Sequence, residues 1–237
     1  MLYLIGLGLN EKSITKEAFE IIKKCKKLYL EGYTVDFPYE MPELESQIGA
    51  FEVLGREDVE SDKLVEEARK KDIALLIYGS PLFATTHLTL LSDCKKVKVK
   101  TKIIYNASVF DAIGESGLEL YKFGKITSMP KWVQNFEPDS FLDIVQQNSS
   151  IKAHSLILCD IQLNFKEALE QLDLSCKKKK MILDKILVVS NLGTEKGKML
   201  YDTLENLKKK HKLIINPFCL IVPSNLHFME KEALENL

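Results

Sequence analysis

Two unbroken apolar runs, each stopped by glycine, limit what this chain can become. Leu2-Tyr3-Leu4-Ile5 ends at Gly6-Leu7-Gly8, and Ile73-Ala74-Leu75-Leu76-Ile77-Tyr78 ends at Gly79-Ser80-Pro81. A run without polar alternation has no face for water, so each predicts a strand covered on both sides, as in a parallel sheet between helix layers. The sequence between them agrees. After the first turn Ser13 or Thr15 supplies a helix N-cap, and Ile14, Ala18, Ile21, Ile22 and Cys25 recur on one helical face. Leu28–Leu30 and Phe51–Leu54 read as short strands, and Leu64, Val65 and Ala68 mark a helix within 61–71. A further helix is expected to start near Thr85 or Thr86, followed by an extended stretch from Val97 to Tyr105 and a helix capped by Ser108.

Glycines 114, 117 and 124 then punctuate the chain, and the alternation of strand and helix restarts. This places a boundary near Gly124 and predicts two domains, 1–124 and 125–237, each α/β with a mostly parallel sheet. In the second, a helix is expected over 139–147, strands over 154–160, 186–190 and 219–222, and a helix over 199–209. A net charge of −1 on 237 residues argues against broad electrostatic binding of a nucleic-acid backbone and leaves room for local patches. Two basic runs, Lys177–Lys180 and Lys208–Lys212, read as solvated faces or loops, with docking onto an acidic protein as the alternative. The five cysteines show no C-x-x-C spacing and no zinc pattern, which predicts free thiols in a reducing compartment. The start lacks the features of a signal peptide and no run of apolar residues is long enough to span a bilayer, so a cytoplasmic protein without a membrane anchor is expected.

In parallel α/β sheets ligands sit outside the carboxyl ends of the strands. The residues there are Gly6-Leu7-Gly8-Leu9, Gly79-Ser80-Pro81-Leu82-Phe83-Ala84-Thr85-Thr86-His87 and Asn106-Ala107-Ser108-Val109. In the second half, Cys159-Asp160, Asn191-Leu192-Gly193 and Pro223-Ser224 occupy the equivalent places. Gly6 and Gly8 lack the third glycine and the downstream acid of a dinucleotide fingerprint, which argues against a Rossmann site. Residues 79–87 crowd a proline turn, two hydroxyls and an imidazole into one corner, where His87 either satisfies an interior hydrogen bond or serves a site. Neither Ser80 nor Ser108 lies in G-x-S-x-G, which argues against a hydrolase triad.

The start Leu2-Tyr3-Leu4-Ile5-Gly6-Leu7-Gly8-Leu9 resembles the diphthine synthase family. So do Glu31-Gly32-Tyr33-Thr34, Arg56-Glu57-Asp58-Val59-Glu60, the 79–87 corner, Gly117-Leu118-Glu119-Leu120-Tyr121-Lys122-Phe123-Gly124, Pro138–Asp143 and Ile221–His227, in order and spacing. The resemblance implies the two-domain fold of tetrapyrrole methylases, usually a homodimer, with S-adenosylmethionine in an inter-domain cleft and S-adenosylhomocysteine as product. It implies cofactor contacts at Leu9, Ser80, Phe83, Ser108, Val109, Cys159, Leu192 and Phe218, many through backbone groups. It also implies repeated methylation of the amino group of a modified histidine on translation elongation factor two, to which eukaryotic members add a further methyl as an ester. No catalytic acid, base or metal ligand is assigned. One residue departs from the pattern: the family has Gly-Asp-Pro where this chain has Gly79-Ser80-Pro81. Losing that carboxylate predicts cofactor binding weaker by ~1–3 kcal/mol. A methyltransferase of the same fold acting on a tetrapyrrole or ribosomal RNA, or a cofactor-binding protein with reduced activity, are the other readings.

Overall fold

Successive residues of a strand face opposite sides of its sheet, and in the first part of this chain both sides are apolar. The computed structural model, which describes residues 1–237, forms two compact units, Met1–Val109 and Phe110–Leu237. The first unit holds strands β1 (Leu2–Gly6), β2 (Lys27–Glu31), β3 (Glu52–Leu54), β4 (Ile73–Ile77) and β5 (Thr101–Ile104). They lie in the order β3-β2-β4-β1-β5, every pair parallel. Helices α1 (Lys16–Ile22) and α2 (Met41–Ile48) bury Ala18, Ile22, Leu44 and Ile48 against one face, together with Ile5, Leu30, Ala74 and Leu76. Helices α3 (Arg56–Glu60), α4 (Lys63–Ala68) and α5 (His87–Lys96) bury Val59, Leu64, Val65, Leu90 and Cys94 on the other, with Leu2, Leu4, Ile73 and Leu75. The apolar runs are therefore unbroken because neither face meets water. Thr15 caps α1, its Oγ1 accepting from the Ala18 amide at 3.1 Å.

Short helix α6 (Val109–Ala112) carries the chain into the second unit. Its strands are β6 (Thr127–Met129), β7 (Ser155–Cys159), β8 (Ile186–Ser190), β9 (Lys198–Asp202) and β10 (Phe218–Val222), in the order β6-β7-β10-β8-β9. Here the expectation of a mostly parallel sheet gives way: only β6–β7 is parallel, because β10 returns between β7 and β8 and β9 folds back on β8 as a hairpin. Helices α7 (Phe141–Ser150), α8 (Phe165–Lys179) and α9 (Leu204–Lys209) cover one face, with Phe141, Leu169, Leu172 and Leu207 in the core. The helix expected over 199–209 begins only at Leu204. Residues 198–202 pair with all five residues of β8, and Thr203 then caps α9 through its side chain. The lysines of the first basic run close the last turn of α8, where cations oppose the negative helix end. Lys177 pairs with Asp173, and Lys178 and Lys179 with Asp139. All five cysteines are unpaired, and no helix is long and apolar enough to cross a membrane.

Residues 110–124, on the N-terminal side of the expected hinge, group with the second unit. They are held to the last helix, α10 (Phe228–Glu235), by Glu230, whose side chain is fully buried. Its carboxylate accepts from the amides of Glu119 (3.1 Å) and His227 (2.7 Å), from His154 Nε2 (3.0 Å) and from Lys122 Nζ. Because the Ser224 amide donates to His154 Nδ1 at 2.9 Å, Nε2 carries the proton and the imidazole is neutral. Burial alone would raise the Glu230 carboxyl, but Lys122 and the amides of His227 and Glu119 outweigh it and hold the group at about 2. A lowered carboxyl stabilises the fold at every pH above its ordinary value of 4.5, and that contribution is lost as pH falls from there toward about 2. Glu230→Gln is expected to cost ~3 kcal/mol at neutral pH and to flatten the acid limb of stability. Denaturant unfolding of both proteins across that range checks this, and equal stability at neutral pH would show that the clamp contributes nothing.

Candidate functional site

Strands β1, β4 and β5, followed by glycine or asparagine turns, put their loops side by side. Beyond β1 and β4 the Gly79 amide donates to Gly8 O at 2.9 Å and the Gly8 amide to Gly79 O at 3.2 Å. Both glycines have positive φ, +75° and +70°, which lets each chain reverse tightly enough to make this exchange. Gly6 is constrained differently: a Cβ there would lie 2.6 Å from Gly79 O and 2.9 Å from Pro81 Cδ. Asn106, after β5, ties in the third loop, its Nδ2 donating to Gly6 O at 3.2 Å and Ser13 O at 2.9 Å. Tyr78 Oη donates to Leu9 O at 3.2 Å. Five of the expected cofactor contacts, Leu9, Ser80, Phe83, Ser108 and Val109, follow these strands on one edge of the parallel sheet. Leu9 and Ser108 are buried and Ser80, Phe83 and Val109 half-buried.

The 79–87 corner is braced from beneath. His87, fully buried, sets Nδ1 3.0 Å from Pro81 O and 2.8 Å from Thr85 Oγ1, and Nε2 3.0 Å from Glu31 Oε1 at the end of β2. The last contact lies off the N–H direction, so it is a charge attraction rather than an aligned hydrogen bond. Thr34 Oγ1 donates to the other oxygen of Glu31 at 2.9 Å. Above them Thr86 Oγ1 donates to Glu60 at 3.2 Å, and Arg56 stands over the Tyr33 ring at 5.2 Å. Three segments distant in the sequence, 31–34, 56–60 and 79–87, thus meet around one buried pair. Burial pulls the His87 pKa down, but Glu31 and the Pro81 carbonyl outweigh it and the net shift is upward. Burial, reinforced by Glu31, pushes the Tyr33 phenol up to about 12.

In the second unit Cys159, Leu192 and Phe218 share one edge of the mixed sheet, since Phe218 pairs with Ser190, Cys219 with Leu158, and Leu192 follows β8. Burial raises the Cys159 thiol well above its usual value, so it stays protonated and is a packing group rather than a nucleophile. Beside Leu192, Asn191 adopts φ +52° and donates Nδ2 to Ser190 Oγ and Ile215 O, while its Oδ1 is buried without a partner. A cavity of ≈ 640 Å³ opens at the other edge of this sheet, lined by Ser155, Lys185, Tyr201 and Val222, and so away from the three candidates.

The sequence profile of the Tetrapyrrole (Corrin/Porphyrin) Methylases matches residues 1–208. A diphthine synthase from Methanococcus aeolicus is 36% identical over 252 residues, covering 100% of this chain and 98% of that protein. A crystal structure of diphthine synthase has a TM-score of 0.87 at 30% identity, covering 100% of this chain and 95% of that one. The chain belongs to the diphthine synthase family. A diphthine methyl ester synthase from Saccharomyces cerevisiae is 45% identical over 168 residues, which span 69% of this chain and 56% of that protein. Membership makes the protein a methyltransferase with the tetrapyrrole methylase fold.

Asn106 and Tyr78, which hold the loops in register, have no sequence signal beyond their place after apolar runs. Glu31 stood within a family-like segment, but nothing in the sequence connects it to His87. Because Gly6 is hemmed in by backbone, Gly6→Ala is expected to push the 79–81 turn away and cost ~1–3 kcal/mol of stability. Gly55→Ala, where an added Cβ meets nothing within 4 Å, should cost clearly less. Thermal unfolding of the two variants decides, and equal losses would mean that the close approach of the loops is not what Gly6 provides.

Proposed function

We propose that the protein methylates, repeatedly, the amino group of the modified histidine on translation elongation factor two during diphthamide biosynthesis, with S-adenosylmethionine as donor. The observation that carries this reading is similarity to diphthine synthases along the whole chain, at 36% identity, rather than in one motif. We infer a cytoplasmic enzyme acting as a homodimer, in the manner the family resemblance implies, with the two α/β units as its two domains. The residues fit an adenosyl thioether. Glycine turns after β1 and β4 bare their backbone groups, and Asn191 Oδ1 is a buried acceptor that a ligand donor would satisfy.

When bound, S-adenosylmethionine supplies a methyl already activated on a sulfonium, so the protein contributes alignment and the exclusion of water. In this reading the first-unit loops with Leu9, Ser80, Phe83, Ser108 and Val109, and the second-unit edge with Cys159, Leu192 and Phe218, bind the cofactor. Half-buried Cys159, its thiol kept protonated, shapes the wall without reacting. No side chain is assigned as general base, since the incoming amine can lose its proton to water.

Similarity to a diphthine methyl ester synthase favours a second outcome, in which one added methyl is an ester. Labelled S-adenosylmethionine and partly modified elongation factor, followed by mass spectrometry, test both. Label on the modified histidine supports the proposal, loss of one methyl in mild base identifies the ester, and label only on a tetrapyrrole or ribosomal RNA refutes it. Ser80→Asp, restoring the family carboxylate, is expected to tighten S-adenosylmethionine binding by ~1–3 kcal/mol in calorimetry. Unchanged affinity would mean that backbone groups carry the contact here.

A further inference from the structure

His87, the sole histidine of the first unit, is fully buried between two oxygens that favour its charged form. Pro81 O can only accept, and the Glu31 carboxylate can only accept. With one ring nitrogen unprotonated, a lone pair would face one of these oxygens at 3.0 Å. The imidazolium removes both conflicts: Nδ1–H faces Pro81 O, with Thr85 Oγ1 beside it, and the positive ring attracts the Glu31 carboxylate although Nε2 lies off its hydrogen-bond axis. The raised pKa of His87 agrees with that assignment, Glu31 and Pro81 prevailing over the opposing effect of burial.

What this cation holds is the turn itself. Pro81 closes the Gly79-Ser80-Pro81 turn, which is pressed on its far side against Gly6 and Gly8. Between Pro81 and His87 the chain passes through Ala84 at φ +52°, a left-handed conformation in which an alanine is strained. Such a loop keeps its shape only where its surroundings over-determine it. Glu31, itself fixed by Thr34, anchors the imidazolium to the end of β2.

We propose that His87 is a positioning residue for the cofactor loop: gripped between Glu31 and the Pro81 carbonyl, its imidazolium locks residues 79–83 in the shape that receives the adenosyl ligand. The inference rests on the cofactor reading above and adds to it a residue that touches neither cofactor nor substrate. Other ionisable groups packed about the pair are Tyr33 beyond Glu31, and Glu60 and Arg56 reached through Thr86 and Tyr33. Glu31 is the one in contact with the ring.

If the protonated ring favours the binding shape, ligand binding must in turn favour the proton, because coupling is reciprocal. NMR titration of the wild-type imidazoles, with His87 assigned by comparison with His87→Asn, reads this directly. Saturating S-adenosylhomocysteine is expected to raise the His87 midpoint by about half a unit or more. The dissociation constant then weakens about threefold or more as pH rises through that midpoint. Glu31→Gln is expected to lower the midpoint and to weaken S-adenosylhomocysteine binding about tenfold, leaving kcat at saturating cofactor within about twofold. Binding to the wild type with an unmoved His87 midpoint would overturn the inference and leave the cofactor reading intact. No binding at millimolar ligand would remove both. The wild-type titration decides even if Glu31→Gln fails to fold.

Discussion

The paired hydrogen bonds between Gly8 and Gly79 fix the geometry on which the first unit's loops depend. Inside the sheet β1 and β4 run parallel, and regular pairing would stop where the strands stop. Positive φ at both glycines reverses each chain, so that two loops otherwise free to diverge exchange both amide protons. Once they are joined, Gly6 has no room for a side chain, Asn106 can reach Gly6 O and Ser13 O together, and the would-be Cβ of Gly79 comes within 3.6 Å of Ser108 Cα. Glycine here is a requirement of distance as much as of torsion. Any Cβ at Gly6 would have to displace backbone, which cannot rotate aside as a side chain can.

Each unit also buries one histidine against one glutamate, and the two pairs are built to different ends. Glu230 gathers four donors from three stretches of chain, and His154 beside it is neutral because the Ser224 amide occupies its second nitrogen. A carboxylate so fully satisfied offsets its own desolvation and ties the C-terminal helix to residues 119–124. Glu31 is satisfied more sparingly, by Thr34 and by an imidazolium whose approach is off the hydrogen-bond axis. A pair with incomplete hydrogen bonding can cost more to desolvate than it returns, and under the positioning role proposed for His87 its contribution is the conformation of the 79–87 corner.

The parallel sheet could be read from the chain because its signal is local: an apolar run, a glycine, a helical face, repeated. The second unit breaks that correspondence. The antiparallel pairing of β10 depends on where a strand returns from, which no run of residues records, and β9 exists because five residues find a ladder on β8 in spite of a helix-like pattern around them. Helix α8 does not figure among the expected elements, although Phe165, Ala168, Leu169, Leu172 and Cys176 recur at helical spacing behind an Asn164 cap. The candidate residues on each sheet edge could be named from resemblance, since they lie at or beside the ends of strands. Their supports, Asn106, Tyr78 and Glu31, act across 69 to 100 residues of chain or through a pair of buried charges, and only coordinates join them.

These supports bear on how the proposed site would tolerate serine where the family resemblance implies aspartate. A side chain that alone supplied the binding charge could not be exchanged without losing the ligand. A turn whose shape is set by Gly8 on one side and His87 on the other presents its amides and carbonyls whatever residue occupies position 80. Recognition by backbone depends on the conformation of the loop, and conformation is the property that the surrounding contacts over-determine. In the proposed site such a loop would lose only the increment of one carboxylate while keeping its geometry, and the residues whose replacement would alter that geometry are the glycines and the buried pair, none of which is a serine or an aspartate.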